Sequence, residues 1–436
     1  MTYGLLGEHL SHSYSPRIHA MLGSYPYRLF SVAPEELEAF LAAEKFDGLN
    51  VTIPYKKAVL PYLSDLSGRA RKLGSVNTIL RREDGTLYGD NTDYSGFRYL
   101  LRGRESLVRG GKALVLGSGG ASVTVVQVLR DMGAGEVIVI SRRGEDNYEN
   151  LDRHGDAELL VNTTPVGMYP DNGASPVDLT RLPGLRLVVD IIYNPAKTAL
   201  MLQAASLGIP AVGGLSMLVA QAKYSADLFT GKKQKDAVIH KIQEKIGSQM
   251  KNIVLIGMPG CGKSIIGKRL AAILGREWID IDTEIESLAG KTIPEIFRKD
   301  GEESFRRLET ARVAQAGKKS GCVISTGGGV VTRPENRDLL RQNGTIVYIR
   351  REMSKTYREQ LAPRDGKVQN RPLMAQHTPE DLEQQRLPLY EAWSDVKILN
   401  IGINETAWQL VSFLRLTPAK KKRRHKKHKK NTEGKL

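Results

Sequence analysis

Cysteine is nearly missing from this chain: of 436 residues, only Cys261 and Cys322 carry a thiol. Two thiols exclude a disulfide framework and fit a reducing compartment. No apolar run approaches the roughly 18 residues that a membrane span needs. The opening residues, MTYGLLGEHLSHSYSP, lack the basic-then-apolar pattern of an export signal. These absences together predict a cytoplasmic location. Tandem repeats are missing as well, which argues against a solenoid. Acid is scarce relative to base, with 48 Asp and Glu against 64 Lys and Arg, a formal net charge of +16. Much of that excess is local: residues 420–436 hold ten Lys or Arg and one Glu, a net +9 that leaves +7 for the rest. The run Ala419–Lys430 is low-complexity, cannot bury a core and is predicted to be disordered. It has no aromatic residue for base stacking, so any polyanion binding by it is electrostatic, salt-sensitive and without sequence preference.

What is present is a globular composition, 41% apolar and 26% charged, on a chain too long for one ordinary core. Short apolar runs alternate with longer amphipathic stretches, which predicts α/β units with mostly parallel sheets. The strand-like runs are Tyr3–Leu6, Lys112–Leu116, Val137–Ile140, Leu159–Val161, Leu187–Asp190, Asn252–Ile256, Val323–Ser325 and Ile346–Ile349. A strand, a Gly-rich loop and a helix follow one another twice, beginning at Ala113 and at Ile253, and each such unit organises its own nucleotide site. Helical spacing over Asp236–Ile246 closes the first module, and a boundary is predicted near Ile246–Lys251. A second division falls near residue 100.

In the first module, Gly117, Ser118, Gly119, Gly120 and Ala121 form a loop whose glycines let backbone approach a pyrophosphate at a helix N-terminus. Ser122 stands where the usual third glycine would be, so a plain strand-to-helix turn also fits. The next strand ends in Ser141, Arg142 and Arg143. An Arg pair there, in place of the usual acid, suits a ribose 2′-phosphate and hence NADP; a solvated strand end is the alternative. Upstream lie Ser13-Tyr14-Ser15-Pro16, then Asn50-Val51-Thr52-Ile53-Pro54-Tyr55-Lys56, Val76-Asn77-Thr78 and Gly89-Asp90-Asn91-Thr92-Asp93. Taken singly, Lys56 fits a solvated surface residue and Asp93 a helix N-cap.

Taken together, and with Asn162-Thr163-Thr164-Pro165-Val166-Gly167-Met168, Asp190-Ile191-Ile192-Tyr193 and Gly214-Leu215-Ser216-Met217-Leu218-Val219-Ala220-Gln221, these segments resemble the shikimate dehydrogenase family. The resemblance runs in the family's order over residues 1 to about 248. It implies a substrate domain over 1–101 and a Rossmann NADP domain over 102–248, whose last helices return to the substrate domain. Lys56 and Asp93 would be the proton-transferring pair, the carboxylate fixing and tuning the ammonium. Ser13 and Ser15 would bind the substrate carboxylate, with Thr52, Asn77, Tyr193 and Gln221 around the hydroxyls. The loop Gly117–Ala121 with Ser141, Arg142, Arg143 and Gly214 would hold NADP(H). The Ser-x-Ser pattern resembles members that prefer shikimate to quinate. One departure stands out: between Arg143 and Leu159 the chain has only Gly144–Glu158, where the family carries a longer helix and strand segment.

In the second module, Gly257-Met258-Pro259-Gly260-Cys261-Gly262-Lys263-Ser264 is a complete P-loop between a strand and a helical run. Backbone amides of such a loop cradle phosphates, Lys263 reaches the outer ones, and Ser264 coordinates Mg2+. Cys261 is a small residue within it. Trp278-Ile279-Asp280-Ile281-Asp282 alternates along a strand end, which places both carboxylates on one side of the sheet. Glu302–Glu309, Gly327-Gly328-Gly329, Asn370-Arg371-Pro372-Leu373 and Arg386-Leu387-Pro388-Leu389-Tyr390 follow. In that order they resemble shikimate kinase. The resemblance implies a P-loop kinase domain over 249–415, built on a parallel sheet like that of nucleoside monophosphate kinases, and leaves 416–436 as the basic tail. Asp282 would hold and deprotonate the accepting hydroxyl, and Asp280 would support Mg2+ through its waters. Arg306, Arg386, Gly328 and Gly329 would bind shikimate. Gly260, Cys261, Gly262, Lys263 and Ser264 would bind ATP, with Arg371 closing from a lid. The two resemblances name consecutive reactions: reduction of 3-dehydroshikimate to shikimate with NADPH, then phosphorylation of shikimate with ATP. A single active module, a quinate substrate, or added polyanion binding by the tail are the alternatives.

Overall fold

A computed structural model describes residues 1–10, 13–43, 45–352, 354, 357 and 378–419. Arg371, the lid segment around it, and the basic run from Lys420 onward lie outside the described residues. The chain divides into two compact units, Met1–Lys251 with Gly317–Ser320 and Pro334–Gly344, and the remaining segments from Asn252 on.

The first unit holds two sheets. Strands β1 (Tyr3–Gly7), β2 (Tyr27–Ser31), β3 (Gly48–Val51), β4 (Asp65–Leu66), β5 (Thr78–Arg81) and β6 (Leu87–Asp90) form a six-stranded sheet in the order β2-β1-β3-β5-β6-β4. β1 is parallel to β2 and β3, but β5 is antiparallel to β3 and β6. This sheet is therefore mixed. The antiparallel pair is a hairpin around Asp84-Gly85: Arg82 N–H donates to Thr86 at 2.8 Å, and Gly85 takes φ +83°, a left-handed conformation that glycine adopts freely. Leu6, Phe46, Leu49, Val51 and Ile79 are buried in the core on this sheet.

Strands β7 (Lys112–Leu116), β8 (Glu136–Ile140), β9 (Leu159–Asn162), β10 (Leu187–Asp190) and β11 (Ala211–Gly213) form an all-parallel sheet in the order β11-β10-β9-β7-β8. Its central strands are continuous apolar runs because both faces are covered. Strand order reverses at β7, where a doubly wound sheet opens its ligand crevice. The helices Leu215–Thr230 and Ala237–Met250 leave this sheet and pack against the Ser15–Leu22 helix through Val219, Ile239, Ile242 and Ile18.

In the second unit, β12 (Asn252–Ile256), β13 (Trp278–Asp280), β14 (Val323–Ser325), β15 (Gly344–Arg350) and β16 (Val396–Leu399) take the order β13-β14-β12-β15-β16. β14 is parallel to both β12 and β13, and β15 to β16. One expectation fails here. The strand stops at Asp280, whose carboxylate accepts the Thr283 N–H at 3.3 Å and caps the helix Ile281–Ala289. Asp282 therefore sits in the first turn of a helix and does not alternate with Asp280 along a strand. The N-capping preference of Asp ends the strand two residues early.

Candidate active sites

Between the mixed sheet and the Leu215–Thr230 helix lies a cleft of about 550 Å³. Ser13, Ser15, Thr52, Lys56, Asn77, Asp93, Tyr193, Gly214 and Gln221, all singled out in the sequence, line it. Lys56 stands on the short helix Tyr55–Ala58 after β3, which is anchored by the buried Tyr55 hydroxyl donating to the Val32 carbonyl. Asp93 stands in the first turn of the helix Thr92–Leu100, capped by Asn91. Lys56 Nζ meets Asp93 Oδ2 at 2.6 Å, with 35% and 17% of the side chains exposed. The pair is thus half-sheltered but reachable from the cleft.

Neutral hydrogen bonds fix the surrounding groups. Asn77 Oδ1 accepts the Thr92 N–H at 2.7 Å and the Thr78 hydroxyl at 3.0 Å, leaving its amide to reach Gln221 Oε1 at 3.5 Å. The Ser15 N–H donates to Ser13 Oγ at 3.2 Å. Burial pushes the Tyr193 phenol up, so it stays a neutral donor. Asn50, quoted within its motif but given no role above, also lines the cleft and accepts the Tyr27 hydroxyl at 2.8 Å. Tyr27 stacks on His19 with centroids 3.9 Å apart. Burial pushes His19 down to about 3, so the layer beneath the cleft is uncharged.

The glycine loop follows β7. Gly117 has φ +97° and lies against Thr163 and Thr164, while a side chain at Gly119 or Gly120 would meet open space. The helix Gly120–Asp131 that follows has no side-chain N-cap among the described residues, so its first N–H groups are available to an anion. Arg142 and Arg143 are exposed just past β8. This loop and the Arg pair fit a 2′-phosphorylated dinucleotide. The short stretch after them holds only a 3-10 turn, Leu151–His154.

In the second unit, β12 leads through the P-loop into the helix Lys263–Leu274, with φ +144°, +73° and +105° at Gly257, Gly260 and Gly262. Lys263 is buried, and its ammonium donates to the Gly257 and Met258 carbonyls at 2.8 and 2.9 Å. Ser264 is exposed. The curled loop and a helix start without a side-chain cap among the described residues fit a polyphosphate. Asp282 lies beside Glu309: an added Cβ on Gly327 would stand 2.9 Å from Asp282 Oδ1 and 2.7 Å from Glu309 Oε1. Both oxygens are buried with no hydrogen-bond partner among the described residues. Burial first, and then the negative charges of Glu309 and Asp280, push Asp282 up to about 7. Glu309 is pushed up by burial against the Arg306 charge. Arg306 donates to Glu309 at 2.7 Å and to Glu302 at 3.0 Å. Arg306 and Arg386 line one pocket of about 630 Å³, and Arg386 Nη1 is buried without a partner among the described residues. That pocket suits a small anion.

Comparison with known proteins bears on both halves. Residues 5–79 match the family model of the shikimate dehydrogenase substrate binding domain, and residues 259–414 that of shikimate kinase. The shikimate dehydrogenase (NADP(+)) of Clostridium beijerinckii is 39% identical over 239 residues, 50% of this chain and 88% of the relative. The chain belongs to the shikimate dehydrogenase family. Among solved structures, a chorismate mutase/shikimate 5-dehydrogenase fusion protein from Clostridium acetobutylicum aligns at 37% identity and a TM-score of 0.53, covering 56% of this chain and 96% of its own. The shikimate 5-dehydrogenase of Thermus thermophilus, in complex with NADP(H) and shikimate, aligns at 32% identity and a TM-score of 0.51, covering 56% and 99%.

A shikimate dehydrogenase segment and a segment of the shikimate kinase family thus follow one another in a single polypeptide. In the dehydrogenase segment, the residue most clearly overlooked in the sequence is Asn50. Its only trace was its place two residues before Thr52, on the same phase of a strand end. In the kinase segment it is Glu309, three residues after Arg306 and so on the same helix face.

Proposed function

We propose that this chain reduces 3-dehydroshikimate to shikimate with NADPH and phosphorylates shikimate to shikimate 3-phosphate with ATP. The observation that carries the first reaction is the Lys56–Asp93 pair, 2.6 Å apart in a cleft lined by hydroxyl and amide groups. NADPH supplies the hydride. The chain's part is to place the ring ketone and move one proton: Lys56 gives it to the carbonyl oxygen as the hydride reaches the carbon, and Asp93 holds the ammonium in line. Ser13 and Ser15 bind the ring carboxylate, and Thr52, Asn77, Tyr193 and Gln221 recognise the hydroxyls. The exposed Arg142 and Arg143 receive the 2′-phosphate, which favours NADP over NAD. The relative solved with NADP(H) and shikimate supports this reading.

For the second reaction, ATP and Mg2+ supply the phosphoryl group and its charge neutralisation. The chain orients the acceptor: Arg306 and Arg386 hold the carboxylate, and Asp282 accepts the hydroxyl proton as the phosphoryl group transfers and ADP leaves. Lys263 turns from the loop carbonyls to the phosphates, Ser264 and Asp280 would hold the metal, and Arg371, outside the described residues, would add its positive charge at the phosphates.

Product analysis by mass spectrometry tests both at once. Given 3-dehydroshikimate, NADPH, ATP and Mg2+, the protein should form shikimate 3-phosphate only when nothing is omitted. Shikimate accumulating in the complete mixture would leave the dehydrogenase and sink the kinase; no product would sink the dehydrogenase first.

A further inference from the structure

Asp190 ends β10 at the carboxyl edge of the parallel sheet and has 0% of its surface exposed. Its neighbours in register are Asn162 at the end of β9 and Gly213 at the end of β11. Asp190 Oδ1 accepts from the Asn162 amide and from the Ile192 backbone N–H, each at 3.1 Å. Oδ2 accepts from the Thr198 hydroxyl at 2.7 Å. Two N–H donors converge on Oδ1 and a hydroxyl on Oδ2, and together they stabilise a carboxylate. Yet none of the donors carries charge, and no cation among the described residues forms an ion pair with Asp190. Burial pushes its pKa up to about 6, opposed only by those three hydrogen bonds.

A buried charge without a counter-ion is costly, and a neutral asparagine could make most of the same contacts. Asp190 does not itself line the reaction cleft, but the chain that follows it does. Ile191 and Tyr193, the first and third residues after it, line the same cleft as Lys56 and Asp93, together with Gly214, whose N–H donates to the Ile192 carbonyl at 2.9 Å. The positive charge of Lys56 is already matched by Asp93. A nicotinamide held by the glycine loop of this parallel sheet would enter the cleft across the carboxyl ends of its strands, where Ile191, Tyr193 and Gly214 stand, and its ring is neutral when reduced and cationic when oxidised.

We infer that Asp190 acts through the cleft wall as the missing counter-charge: its buried carboxylate favours the oxidised, cationic nicotinamide over the reduced one. The inference rests on the dehydrogenase reading proposed above. It makes Asp190 a positioning residue, which touches neither substrate nor cofactor.

Dissociation constants of the full-length chain for NADP+ and for NADPH, each titrated without substrate, provide the test. In Asp190→Asn, affinity for NADP+ should fall by about fivefold or more relative to affinity for NADPH, because only the oxidised ring carries charge. Thr198→Val removes one strut and keeps the acid, so at a pH well above 6, where the group stays ionised without that hydrogen bond, it should move both constants by a similar factor. Asp190→Ser, also neutral, gives the same comparison if the asparagine variant does not fold. Equal shifts of both constants in the neutral variants, or none, overturn the inference while leaving the dehydrogenase intact. A wild-type chain that binds neither cofactor removes the dehydrogenase reading and this inference with it.

Discussion

Lys56 and His19 are two basic side chains of one unit put to opposite uses. Lys56 keeps a third of its surface open and an acid at 2.6 Å, the arrangement of a group that must exchange a proton. Its replacement by alanine should lower the dehydrogenase rate by roughly 10²- to 10⁴-fold, the usual worth of a positioned acid–base group, and leave phosphorylation of added shikimate unchanged. Lys263→Ala should do the reverse. His19 is sealed, with Nδ1 2.7 Å from the Tyr25 hydroxyl. Its pKa is lowered by burial from 6.5 to about 3, so the folded state refuses a proton that the unfolded chain takes up. Stability from this group is complete above pH 6.5 and is lost as pH falls from there towards 3. Asp190, raised by burial to about 6, acts in the opposite sense, since its protonation below that value favours the fold. A comparison with His19→Phe isolates the histidine. Between pH 7 and 5 the wild type should lose on the order of 1–2 kcal/mol relative to the variant. Hydrogen exchange of the β1 amides, taken as a ratio of the two proteins at each pH, reads that loss; a ratio independent of pH would mean that His19 titrates normally.

At the scale of elements, the glycine turn after β14 presses on the kinase-side arginine. A methyl group on Gly329 would overlap the Arg306 guanidinium, which is held between Glu302 and Glu309. Gly329→Ala should therefore displace Arg306 and raise the KM for shikimate by roughly ten- to a hundredfold, the worth of a charged hydrogen bond, with the KM for ATP unchanged. If both KM values moved together, the turn would matter to the P-loop and not to Arg306. The central parallel strands were legible because each is a short apolar run buried on both faces: Lys112–Leu116, Leu187–Asp190, Asn252–Ile256 and Val323–Ser325 begin and end where the runs do, whereas the more exposed edge strands Tyr27–Ser31, Ala211–Gly213 and Val396–Leu399 were not read from the sequence. The hairpin β5–β6 was less so. Its strands are partly exposed and carry mixed side chains, and the Asp84-Gly85 turn was its clearest mark. Asp282 was found as a residue but placed on the wrong element, because a period-two pattern over five residues does not separate a strand end from a capped helix start. Asn50 and Glu309 were quoted within motifs without roles. What singles them out is contact with groups distant in sequence, Tyr27 and Asp282, and only tertiary structure supplies that.

For the whole molecule, the arrangement of sites decides how the two reactions connect. Every residue lining the oxidoreductase cleft falls within Met1–Lys251, and the P-loop, Asp282, Arg306 and Arg386 all fall within the other unit. The described residues of each site thus belong to a single unit. Independent sites that share a soluble intermediate predict complementation in trans. Lys56→Ala chains and Lys263→Ala chains, each alone, should make shikimate 3-phosphate from 3-dehydroshikimate, NADPH and ATP only at the residual rate of the impaired step. Mixed, they should make it after a lag, while free shikimate builds up to the level the kinase needs. The lag should shorten as both proteins are concentrated, because the flux into the shared pool rises with them. A mixture that stays inactive, while the first variant still phosphorylates added shikimate and the second still reduces 3-dehydroshikimate, would mean that shikimate must pass between sites of one chain, and the picture of two self-sufficient units would fall.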